Sequence, residues 1–232
     1  MSGIKEIAII RMEDGVSSSK TDAVAVEAEF NIFLNGQRFA VLNATPRNTD
    51  ELVLGHLFSA GMIRAIADVK LMEWDAALQT VHLEALCDRA PLSPVPDGLR
   101  VTARHILSSM EQFLCKGELF KATGAAHSCA LAIDGKIAYF LEDIGRRNAF
   151  DKTIGAALRE RSPLESSIVM TSGRISGDIM EKIIRSRIQI AASRSAPTDA
   201  AVELARCNNV TLCGFARKET INIYTGIQRI IV

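Results

Sequence analysis

The sequence predicts an α/β fold in two parts: an N-terminal β-rich part with one helix at 1–98 and an α/β core at 99–232. In the first part, alternating apolar and polar residues separated by tight-turn signals predict hairpins. In the second part, short apolar strands alternate with helices, which is the pattern of parallel strands joined by right-handed crossovers. A proline-rich segment separates the two parts by composition, and both could still pack as one compact unit.

Composition argues against several classes of protein. The chain has 27 basic and 27 acidic residues, so it lacks the positive charge of a protein that binds nucleic acid by neutralising phosphates. We find no apolar stretch long enough to span a bilayer and no signal peptide, so we expect no membrane partner. Five cysteines, an odd number, fit free thiols in a reducing compartment and predict a cytoplasmic protein.

Hairpin signals dominate the N-terminal part. Residues 24–34 alternate apolar and polar side chains, Asn35-Gly36 favours a type I′ turn, and residues 38–44 return as a second strand. Further along, 69–86 predicts another hairpin, with strands at 69–75 and 79–86. Residues 87–98, which contain the clustered prolines, predict a loop.

Two helices are predicted by the residues at their N-termini. Pro46 ends the strand before the first helix, and Asn48 with Glu51 predicts a capping box for a helix that runs to about residue 60. Thr102 begins an amphipathic pattern that predicts a second helix, to about residue 120.

The core then alternates strands and helices. Asp134-Gly135 between apolar runs predicts a hairpin, and Pro197 predicts a helix that has proline in its first turn. Strands are predicted at 128–133, 137–141, 168–172, 188–193, 210–215 and 221–225, and helices at 147–161, at 176–187 and from Pro197 onward.

Four motifs in the second half combine Gly, Ser or Thr with charged residues. They are TGAAH at 123–127, EDIGRRNAFDK at 142–152, SGRIS at 172–176 and SAPTDAA at 195–201. Such residues are costly to bury, so they are typical of a surface or a site. The last two motifs follow predicted strands and begin helices, where free backbone N–H groups and the helix dipole favour an anion such as phosphate. We therefore expect the motifs to gather at one end of the sheet, where open α/β sheets bind ligands.

Each motif also has an ordinary structural explanation. The charged run fits a solvated helix start, with acids before bases. SGRIS fits a serine cap with an exposed arginine, SAPT fits a common strand-to-helix turn, and His127 fits a hydrogen-bonded structural histidine. From the residues alone, the prediction is a ligand-binding α/β domain.

Several catalytic signatures are missing from the sequence. It contains no P-loop, no dinucleotide-binding glycine fingerprint and no G-x-S-x-G nucleophile turn. The zinc-deaminase signature requires a P-C-x-x-C segment, and no C-x-x-C pair occurs in the chain. We therefore expect no zinc.

Taken in order, the motifs resemble a known family. TGAAH, EDIGRRNAFDK, SGRIS and SAPT, followed by GFARKETINIYT at 214–225, are similar to the formate dehydrogenase accessory proteins of the FdhD/NarQ family. The segments VAVEAEFNIFLNG and TPRNTDELVLGHLFSAGMI are similar to that family's opening strands and first helix, so the resemblance runs from Val24 to Arg229. It implies a cytidine-deaminase-like three-layer core, in which helices enclose a mixed sheet, without the zinc of those enzymes.

The resemblance also implies a function. Proteins of this family carry sulfur from a cysteine desulfurase to the molybdenum cofactor Mo-bis(molybdopterin guanine dinucleotide), which formate dehydrogenase needs in sulfurated form. The expected partners are formate dehydrogenase, a cysteine desulfurase and, in a homodimer, a second copy of the chain. The cofactor is expected to bind transiently, with its guanine end on the segment after the last core strand. That segment holds Phe215, Ala216, Arg217, Lys218, Glu219 and Thr220, and further cofactor-binding residues are expected at Ser172, Arg174, Ser176, Thr198, His127, Asp143 and Arg146.

The sequence departs from the family pattern at two places. The family carries sulfur as a persulfide on a C-x-x-C pair, but the corresponding loop here holds only Cys87, and Arg147 stands where the family usually has His. Asp88 and Arg89 offset each other beside Cys87, so we expect a weakly activated thiol. The remaining cysteines are expected to be small buried residues, at Cys115, Cys129, Cys207 and Cys213.

Three functions remain open at this stage. The first is a sulfurtransferase in which Cys87 is the catalytic residue. The second is a cofactor-binding or delivery protein without sulfur transfer. The third is a deaminase-like hydrolase that has lost its metal. We predict that the chain binds the cofactor and transfers sulfur poorly or not at all, because no second thiol lies in the loop to release a persulfide.

Overall fold

The computed structural model describes residues 3–88 and 91–231. The chain begins with a two-stranded antiparallel ribbon, β1 (Ile4–Glu13) and β2 (Val16–Ala25). The sequence does not predict this ribbon, because exposed strands give only a weak apolar alternation. The predicted strand over 24–34 is therefore interrupted, and its first two residues belong to β2.

A four-stranded mixed sheet follows. Its strands are β3 (Ala28–Leu34), β4 (Gln37–Ala44), β5 (Val69–Asp75) and β6 (Thr80–Ala85), in the order β4-β3-β6-β5. Both predicted hairpins are confirmed, and the first turns at Asn35 and Gly36 with φ of 50° and 78°. The sheet packs against α1 (Thr49–Ser59) through an apolar cluster around Ile32, Leu57 and Val81.

The predicted capping box of α1 is wrong in its detail. Asn48 is the residue before the helix, but it lies in the left-handed region at φ 54° and its side chain makes no cap hydrogen bond. Asn tolerates the left-handed backbone conformation better than most residues. This conformation, and not a side-chain cap, therefore explains why Asn precedes α1.

The C-terminal half is a three-layer α/β core, which confirms the mixed α/β class. Its six-stranded sheet has the order β13-β12-β11-β10-β8-β9, and β10, β11 and β12 are parallel, as predicted. The strands are β7 (Val101–Thr102), β8 (His127–Ile133), β9 (Lys136–Asp143), β10 (Ile168–Thr171), β11 (Ile190–Ser193), β12 (Thr211–Arg217), β13 (Thr220–Thr225) and β14 (Ile230–Ile231), of which β7 and β14 pair apart from the sheet. The helices are α2 (Ala103–Cys115), α3 (Glu118–Thr123), α4 (Arg146–Arg159), α5 (Gly177–Arg185) and α6 (Asp199–Cys207).

Helices cover both faces of the six-stranded sheet. On one face α2 buries Ile106, Met110 and Phe113. On the other face α4, α5 and α6 bury a larger cluster that includes Phe150 and Ile183. The similarity to cytidine deaminases and the division at residue 98 stay predictions.

The N-terminal sheet is joined to the core by the contact of α1 with α4. Here two helix backbones nearly touch: a Cβ on Gly55 would lie 1.8 Å from the Asp151 carbonyl oxygen, and one on Gly155 would lie 1.9 Å from that of Glu51. Only glycine permits this approach, so α1 belongs to both layers.

Two helix predictions need correction. The predicted helix over 102–120 is two helices, because Gly117, at φ 33°, turns the chain between α2 and α3. Thr102 is confirmed as its N-cap and accepts a hydrogen bond from the His105 N–H. Pro197 does not lie in the first turn of α6; Thr198 is the N-cap and the helix begins at Asp199. In the described residues, no helix is long and apolar enough to cross a membrane.

Candidate functional site

The four motifs meet at one end of the six-stranded sheet, as predicted. The parallel strands β10, β11 and β12 end there, and the antiparallel strand β8 begins there at His127. Strand β9 ends beside it, since Asp143 pairs with His127. We call this end the motif edge. Along it, His127 and the end of β12 lie three strand spacings apart, or about 15 Å.

His127, Arg146 and Ser172 form the centre of the motif edge. The Ser172 Oγ accepts a hydrogen bond from the Ser128 N–H at 2.9 Å and lies 3.4 Å from the His127 Nδ1. A Cβ on Gly173 would lie 3.3 Å from both the Arg146 Cβ and the His127 Nδ1. Glycine at this position therefore lets three of the motifs pack together.

The SGRIS and SAPT loops are tied to each other. The Ile175 N–H donates to the Ala196 carbonyl at 3.3 Å, and the Thr198 N–H donates to the Ile175 carbonyl at 2.9 Å. The Ser193 Oγ donates to the Gly173 carbonyl at 2.7 Å. These bonds join the two loops into one unit, so the start of α5 and the start of α6 keep a fixed relative position.

A cleft of about 200 Å³ opens at the motif edge. Its sheet side is polar, and its other side is the apolar junction of α2 and α3, where the Phe120 side chain is 48% exposed. Lys121 and Arg194 supply two cations. We call it the edge cleft; its lining is Phe113, Leu114, Gly117, Phe120, Lys121, Ala126, His127, Ser128, Ser172 and Arg194.

A larger cleft of about 380 Å³ lies on the other side of Gly117. We call it the outer cleft; its lining is Arg47, Asn48, Lys116, Gly117, Glu118, Leu119, Phe140, Leu141 and Glu142. The Glu142 carboxylate accepts hydrogen bonds from the Leu119 and Phe120 N–H groups, at 2.8 and 3.0 Å. This carboxylate satisfies the first turn of α3 and fixes the wall between the two clefts.

Positive charge and burial govern the chemistry of the edge cleft. Burial lowers the pKa of His127, and the nearby Arg146 guanidinium lowers it further. The Arg146 Nε is buried and has no hydrogen-bond partner among the described residues. A buried donor without a partner is costly, and an incoming acceptor would remove that cost. Together these donors fit a phosphate group: Arg146, Arg194, Lys121 and Ser172.

Three other predicted residues of the motifs, Arg174, Ser176 and Thr198, do not line the edge cleft. Arg174 is exposed. The Ser176 hydroxyl donates to Asp178, which also pairs with Arg147, so this pair joins the starts of α4 and α5. Thr198 uses its hydroxyl to cap α6, accepting from the Ala201 N–H.

The segment Phe215–Thr220 covers the end of β12, the turn at Lys218 and Glu219, and the first residue of β13. It does not follow the last core strand, because β13 extends the sheet by one more strand. Phe215 lies at φ 50° in a bulged part of β12 and donates its N–H to the Ser195 carbonyl at 3.1 Å, which places it beside SAPT. Ala216 is buried, whereas Arg217, Lys218 and Glu219 are exposed. None of these residues lines the edge cleft or the outer cleft.

Asp143 is wholly buried. Its carboxylate pairs with the buried Lys152 at 2.7 Å and accepts hydrogen bonds from the Thr45 N–H at 3.0 Å and the Gly145 N–H at 2.8 Å. The carboxylate thus holds the loop before α4 against the end of β4. Direct contact with a cofactor stays a prediction, and this enclosure argues against it.

Cys87 is exposed at the end of β6. The Asn35 side-chain amide donates to its sulfur at 3.6 Å, and the thiol lies 3.7 Å from the Ala85 carbonyl oxygen. These contacts are uncharged. Asp88 pairs with Arg64 at 2.5 Å, and Arg89 lies outside the described residues.

In the segment that follows Cys87, residues 95–99 lie at the end of the sheet opposite the motif edge. The Val95 N–H donates to the Asn208 carbonyl at 3.0 Å, and the Leu99 N–H donates to the Gln189 side chain at 3.0 Å. Gln189 and Asn208 precede β11 and β12, so residues 95–99 lie where these strands begin. The predicted carrier cysteine and the predicted cofactor residues are therefore not brought together within one chain.

The other cysteines divide into two groups. Cys129 and Cys213 are buried, as predicted, and burial raises the pKa of each thiol to about 12. Cys115 and Cys207 are exposed, so their predicted burial is wrong. Cys115 ends α2 between Leu114 of the edge cleft and Lys116 of the outer cleft.

Of the edge-cleft residues, only His127 and Ser172 are predicted as site residues from the sequence; Phe120, Lys121 and Arg194 are among those that are not. The predicted long helix reaches Phe120 and stops before Lys121, and only the break at Gly117 turns both residues toward the motif edge. Arg194 carries a readable signal, because it lies between the predicted strand over 188–193 and SAPT.

Comparison with known proteins agrees with this architecture. The model of the FdhD/NarQ family matches residues 25–93 and 84–231. The chain is 34% identical to the sulfur carrier protein FdhD of Sulfurisphaera tokodaii, over 98% of this chain and 99% of that protein. It is 30% identical to the sulfur carrier protein FdhD of Geobacillus kaustophilus, over the whole of both chains.

A crystal structure from Desulfotalea psychrophila, described as that of a putative formate dehydrogenase accessory protein, superimposes with a TM-score of 0.87 at 26% identity. The match covers 99% of this chain and 100% of that one. The family model and the relatives span both the N-terminal sheet and the core with its motif edge. The chain therefore belongs to the FdhD/NarQ family.

Proposed function

We propose that this protein is an accessory protein of formate dehydrogenase that binds Mo-bis(molybdopterin guanine dinucleotide) at the motif edge. The observation that carries the proposal is the edge cleft, with the partnerless Arg146 Nε beside it, among the described residues, and the cations Lys121 and Arg194 in its lining. A dinucleotide offers phosphates for these cations and flat rings for Phe120. The cleft, at about 200 Å³, has room for only a part of such a molecule.

Four residues of the edge cleft, and Arg146 beside it, have a stated part in the proposal. Arg194 and Lys121 attract the phosphates, and Arg146 donates its buried N–H to one of them. The Ser172 hydroxyl orients His127, which is then able to accept a proton when an anion binds. The molybdenum cofactor, which is the cargo and not a resident group, would supply the metal that takes up sulfur.

We further propose that delivery of the cofactor, and not sulfur transfer through Cys87, is this protein's main contribution. The Cys87 thiol has uncharged contacts, and residues 95–99 of the segment after it lie at the opposite end of the sheet. Formate dehydrogenase would receive the cofactor, a cysteine desulfurase would remain the source of sulfur, and the protein would work as a homodimer in the cytoplasm. The second candidate function is a sulfurtransferase that uses Cys87, and the exposure of the Cys87 thiol favours this function.

Calorimetry with guanosine diphosphate tests the cofactor proposal. Arg194→Ala should weaken binding, because a charge-assisted phosphate contact contributes about 1.5–3 kcal/mol. Arg217→Ala tests the other expected contact, at the end of β12. Lys136→Ala is the matched control, since Lys136 is an exposed cation at the opposite end of β9. If no variant differs from the wild type, or if no heat is measured with the wild type, the proposal is wrong.

Mass spectrometry tests the sulfur proposal. The protein is incubated with a cysteine desulfurase and cysteine, and its exposed cysteines are mapped for a gain of one sulfur. We expect little or none on Cys87. A stoichiometric persulfide on Cys87, lost in Cys87→Ser together with activation of formate dehydrogenase, would show that the protein is a sulfurtransferase. A persulfide on Cys115 or Cys207 would instead place the carrier elsewhere.

A further inference from the structure

The N-terminal ribbon stands apart from both larger sheets. Strands β1 and β2 pair without a register shift from Ile4 and Ala25 to Glu13 and Val16. Their turn, Asp14-Gly15, has φ of 50° and 81°, as in a type I′ turn. In residues 3–88 and 91–231, no third strand joins the ribbon. A lone two-stranded ribbon is only marginally stable in water. Strand β2 is supported by contact with α3, whereas β1 has no second strand beside it among these residues.

The ribbon exposes apolar side chains and a straight edge. Ile7, Ile10, Met12 and Val16 are 42%, 65%, 64% and 69% exposed. Strand β1 has no proline and no bulge to block a further strand. Its charged residues, Lys5, Glu6, Arg11 and Glu13, are of both signs, so they oppose pairing with an arbitrary strand but allow pairing with a strand of complementary charge. The edge of β1 is therefore ready to pair.

The backbone hydrogen bonds show which residues of β1 face that edge. The Val26 N–H donates to the Gly3 carbonyl at 3.0 Å, so Gly3 and Val26 are a hydrogen-bonded pair. Hydrogen-bonded and non-hydrogen-bonded pairs alternate along an antiparallel ladder. The odd-numbered residues of β1 thus bond to β2. The N–H and C=O groups that point to the outer edge belong to Glu6, Ala8, Ile10 and Met12.

We propose that β1 pairs with β1 of a second copy of this chain, antiparallel about a two-fold axis. The product is a four-stranded sheet in the order β2-β1-β1-β2. The two-fold axis makes the interface the same patch on both copies, as in most dimers. Since outward-facing residues must meet outward-facing residues, the axis passes through a residue pair such as Ala8 on Ala8, Ile9 on Ile9 or Ile10 on Ile10.

Charge selects among these registers. With Ile9 on the axis, Lys5 faces the partner subunit's Glu13 at both ends of the interface, and Arg11 faces the partner subunit's Ile7. With Ala8 on the axis, Lys5 faces Arg11 of the partner subunit, which places like charges together. With Ile10 on the axis, Glu6 faces Asp14 of the partner subunit, again like charges. Opposite charges stabilise a cross-strand pair and like charges destabilise it, so Ile9 lies on the axis.

Contacts within one chain leave these charges available. Glu13 lies 3.9 Å from Arg11 and 3.8 Å from Lys20, and all three side chains are well exposed. Such long surface pairs contribute little. Glu13 can therefore turn to the partner's Lys5. The inference does not depend on the cofactor proposal, and it names the surface of the homodimer.

Cysteine substitution on the axis tests the register. In Ile9→Cys the two new thiols belong to a non-hydrogen-bonded pair, with Cα atoms about 4.5 Å apart, within the range of a disulfide. In the matched control Ile10→Cys, the two thiols are displaced by two residues and exceed about 7 Å, beyond that range. Both variants keep the natural cysteines. We expect a disulfide between the two substituted positions, detected as a cross-linked peptide pair, only in Ile9→Cys; equal cross-linking in both variants, or in neither, would overturn the register.

A charge exchange tests the interface itself. Light scattering at micromolar concentration should give twice the 25.2 kDa monomer mass for the wild type. Lys5→Glu alone and Glu13→Lys alone should each raise the dimer dissociation constant at least several-fold, and the double variant should recover most of that loss. A monomeric wild type, or a double variant that dissociates as readily as the singles, would overturn the proposal. Circular dichroism confirms that each variant is folded.

Discussion

Among single residues, His127 combines a central position in the site with a shifted pKa. It lies at the centre of the motif edge, its ring contacts the Ser172 hydroxyl, and its pKa is lowered by burial and then by Arg146. In the free protein it is therefore neutral down to a pH below its ordinary value of about 6.5. A bound phosphate would favour the protonated ring, so binding and protonation are linked.

This linkage gives a pH dependence with a definite sign. Binding of guanosine diphosphate should take up a proton, because the anion raises the pKa of His127. Affinity should therefore rise as the pH falls toward the lowered pKa that His127 has in the free protein. Calorimetry between about pH 5.5 and 8 measures it. The same measurement on His127→Gln gives the contribution of the phosphate's own titration, and this contribution is subtracted from the wild-type profile. Identical pH profiles for the two proteins would show that His127 does not face the ligand.

Asp143 has a structural role that can be measured separately from binding. Asp143→Asn leaves the buried Lys152 ammonium without its counter-charge, so we expect a loss of about 3–5 kcal/mol in the free energy of unfolding. Urea denaturation measures this loss. Glu203→Gln, which breaks an exposed pair with Arg206 on α6, is the control and should change the stability little. A stable Asp143→Asn protein that no longer binds nucleotide would instead support the predicted cofactor contact.

At the scale of elements, α3 is the piece that the sequence could not locate. Its six residues continue the amphipathic pattern of α2, so periodicity predicts one helix. The break depends on Gly117 in a left-handed conformation and on the Glu142 carboxylate, which comes from a distant part of the chain. Long-range contacts of this kind leave no local signal. The hairpins at Asn35-Gly36 and Asp134-Gly135, in contrast, are set by residues in the turn itself, and both are confirmed.

Removal of the Glu142 carboxylate should therefore act on α3 as a unit. In Glu142→Ala, the Leu119 and Phe120 N–H groups lose their acceptor, and we expect faster hydrogen exchange across α3 with weaker nucleotide binding. Glu111→Ala, an exposed acid on α2, should leave both unchanged. Unchanged exchange in α3 would mean that the carboxylate does not hold the helix.

The crossing of α1 and α4 gives a second test at this scale. Gly55→Ala would place a Cβ 1.8 Å from the Asp151 carbonyl oxygen, and backbone cannot yield as a flexible side chain can. We expect α1 to separate from α4 and the yield of folded protein, measured by size-exclusion chromatography, to fall sharply. Ala156→Ser, at a half-buried position on α4, is the control. Wild-type stability in Gly55→Ala would show that the helices can move apart without loss.

In the whole molecule, a buried charge network joins the two parts of the chain. Asp151 of α4 accepts from Lys182 of α5 at 2.8 Å, from Ser59 of α1 at 2.6 Å, and lies 2.9 Å from the His56 Nδ1. Burial raises the pKa of Asp151, but Lys182 and His56 lower it by more, so the net shift is downward. The ionised carboxylate is thus a clamp between the N-terminal sheet and the core.

The sign of that shift predicts the response to acid. A carboxyl group whose pKa is lower in the folded state stabilises the fold above its unfolded pKa of about 3.9 and loses this contribution as the pH falls through the folded value. The free energy of unfolding should therefore decline below about pH 4, with a smaller slope in Asp151→Asn. Chemical denaturation at a series of pH values measures both slopes. Equal slopes would assign the acid sensitivity to other carboxylates.

The location of the site is more predictable than its contents. The motif edge follows from the strand order and from polar motifs at strand ends, both of which the sequence carries. Which side chains point into the edge cleft depends on packing: Asp143 is enclosed by Thr45 and Lys152, whereas Lys121 enters from a helix that the sequence does not predict. The position of Cys87 relative to the edge depends on how α1 docks on the core, which no local pattern encodes.

One short helix, α3, separates two clefts: Phe120 and Lys121 line the edge cleft, and Glu118 and Leu119 line the outer cleft. A ligand that displaces α3 in one cleft would therefore also change the shape of the other. If occupancy of the edge cleft changes the affinity of the outer cleft by some factor, the outer cleft must change the affinity of the edge cleft by the same factor. Loading and release of a ligand that occupies both clefts would then be coupled. A partner that displaces the ligand from one cleft would weaken its binding in the other.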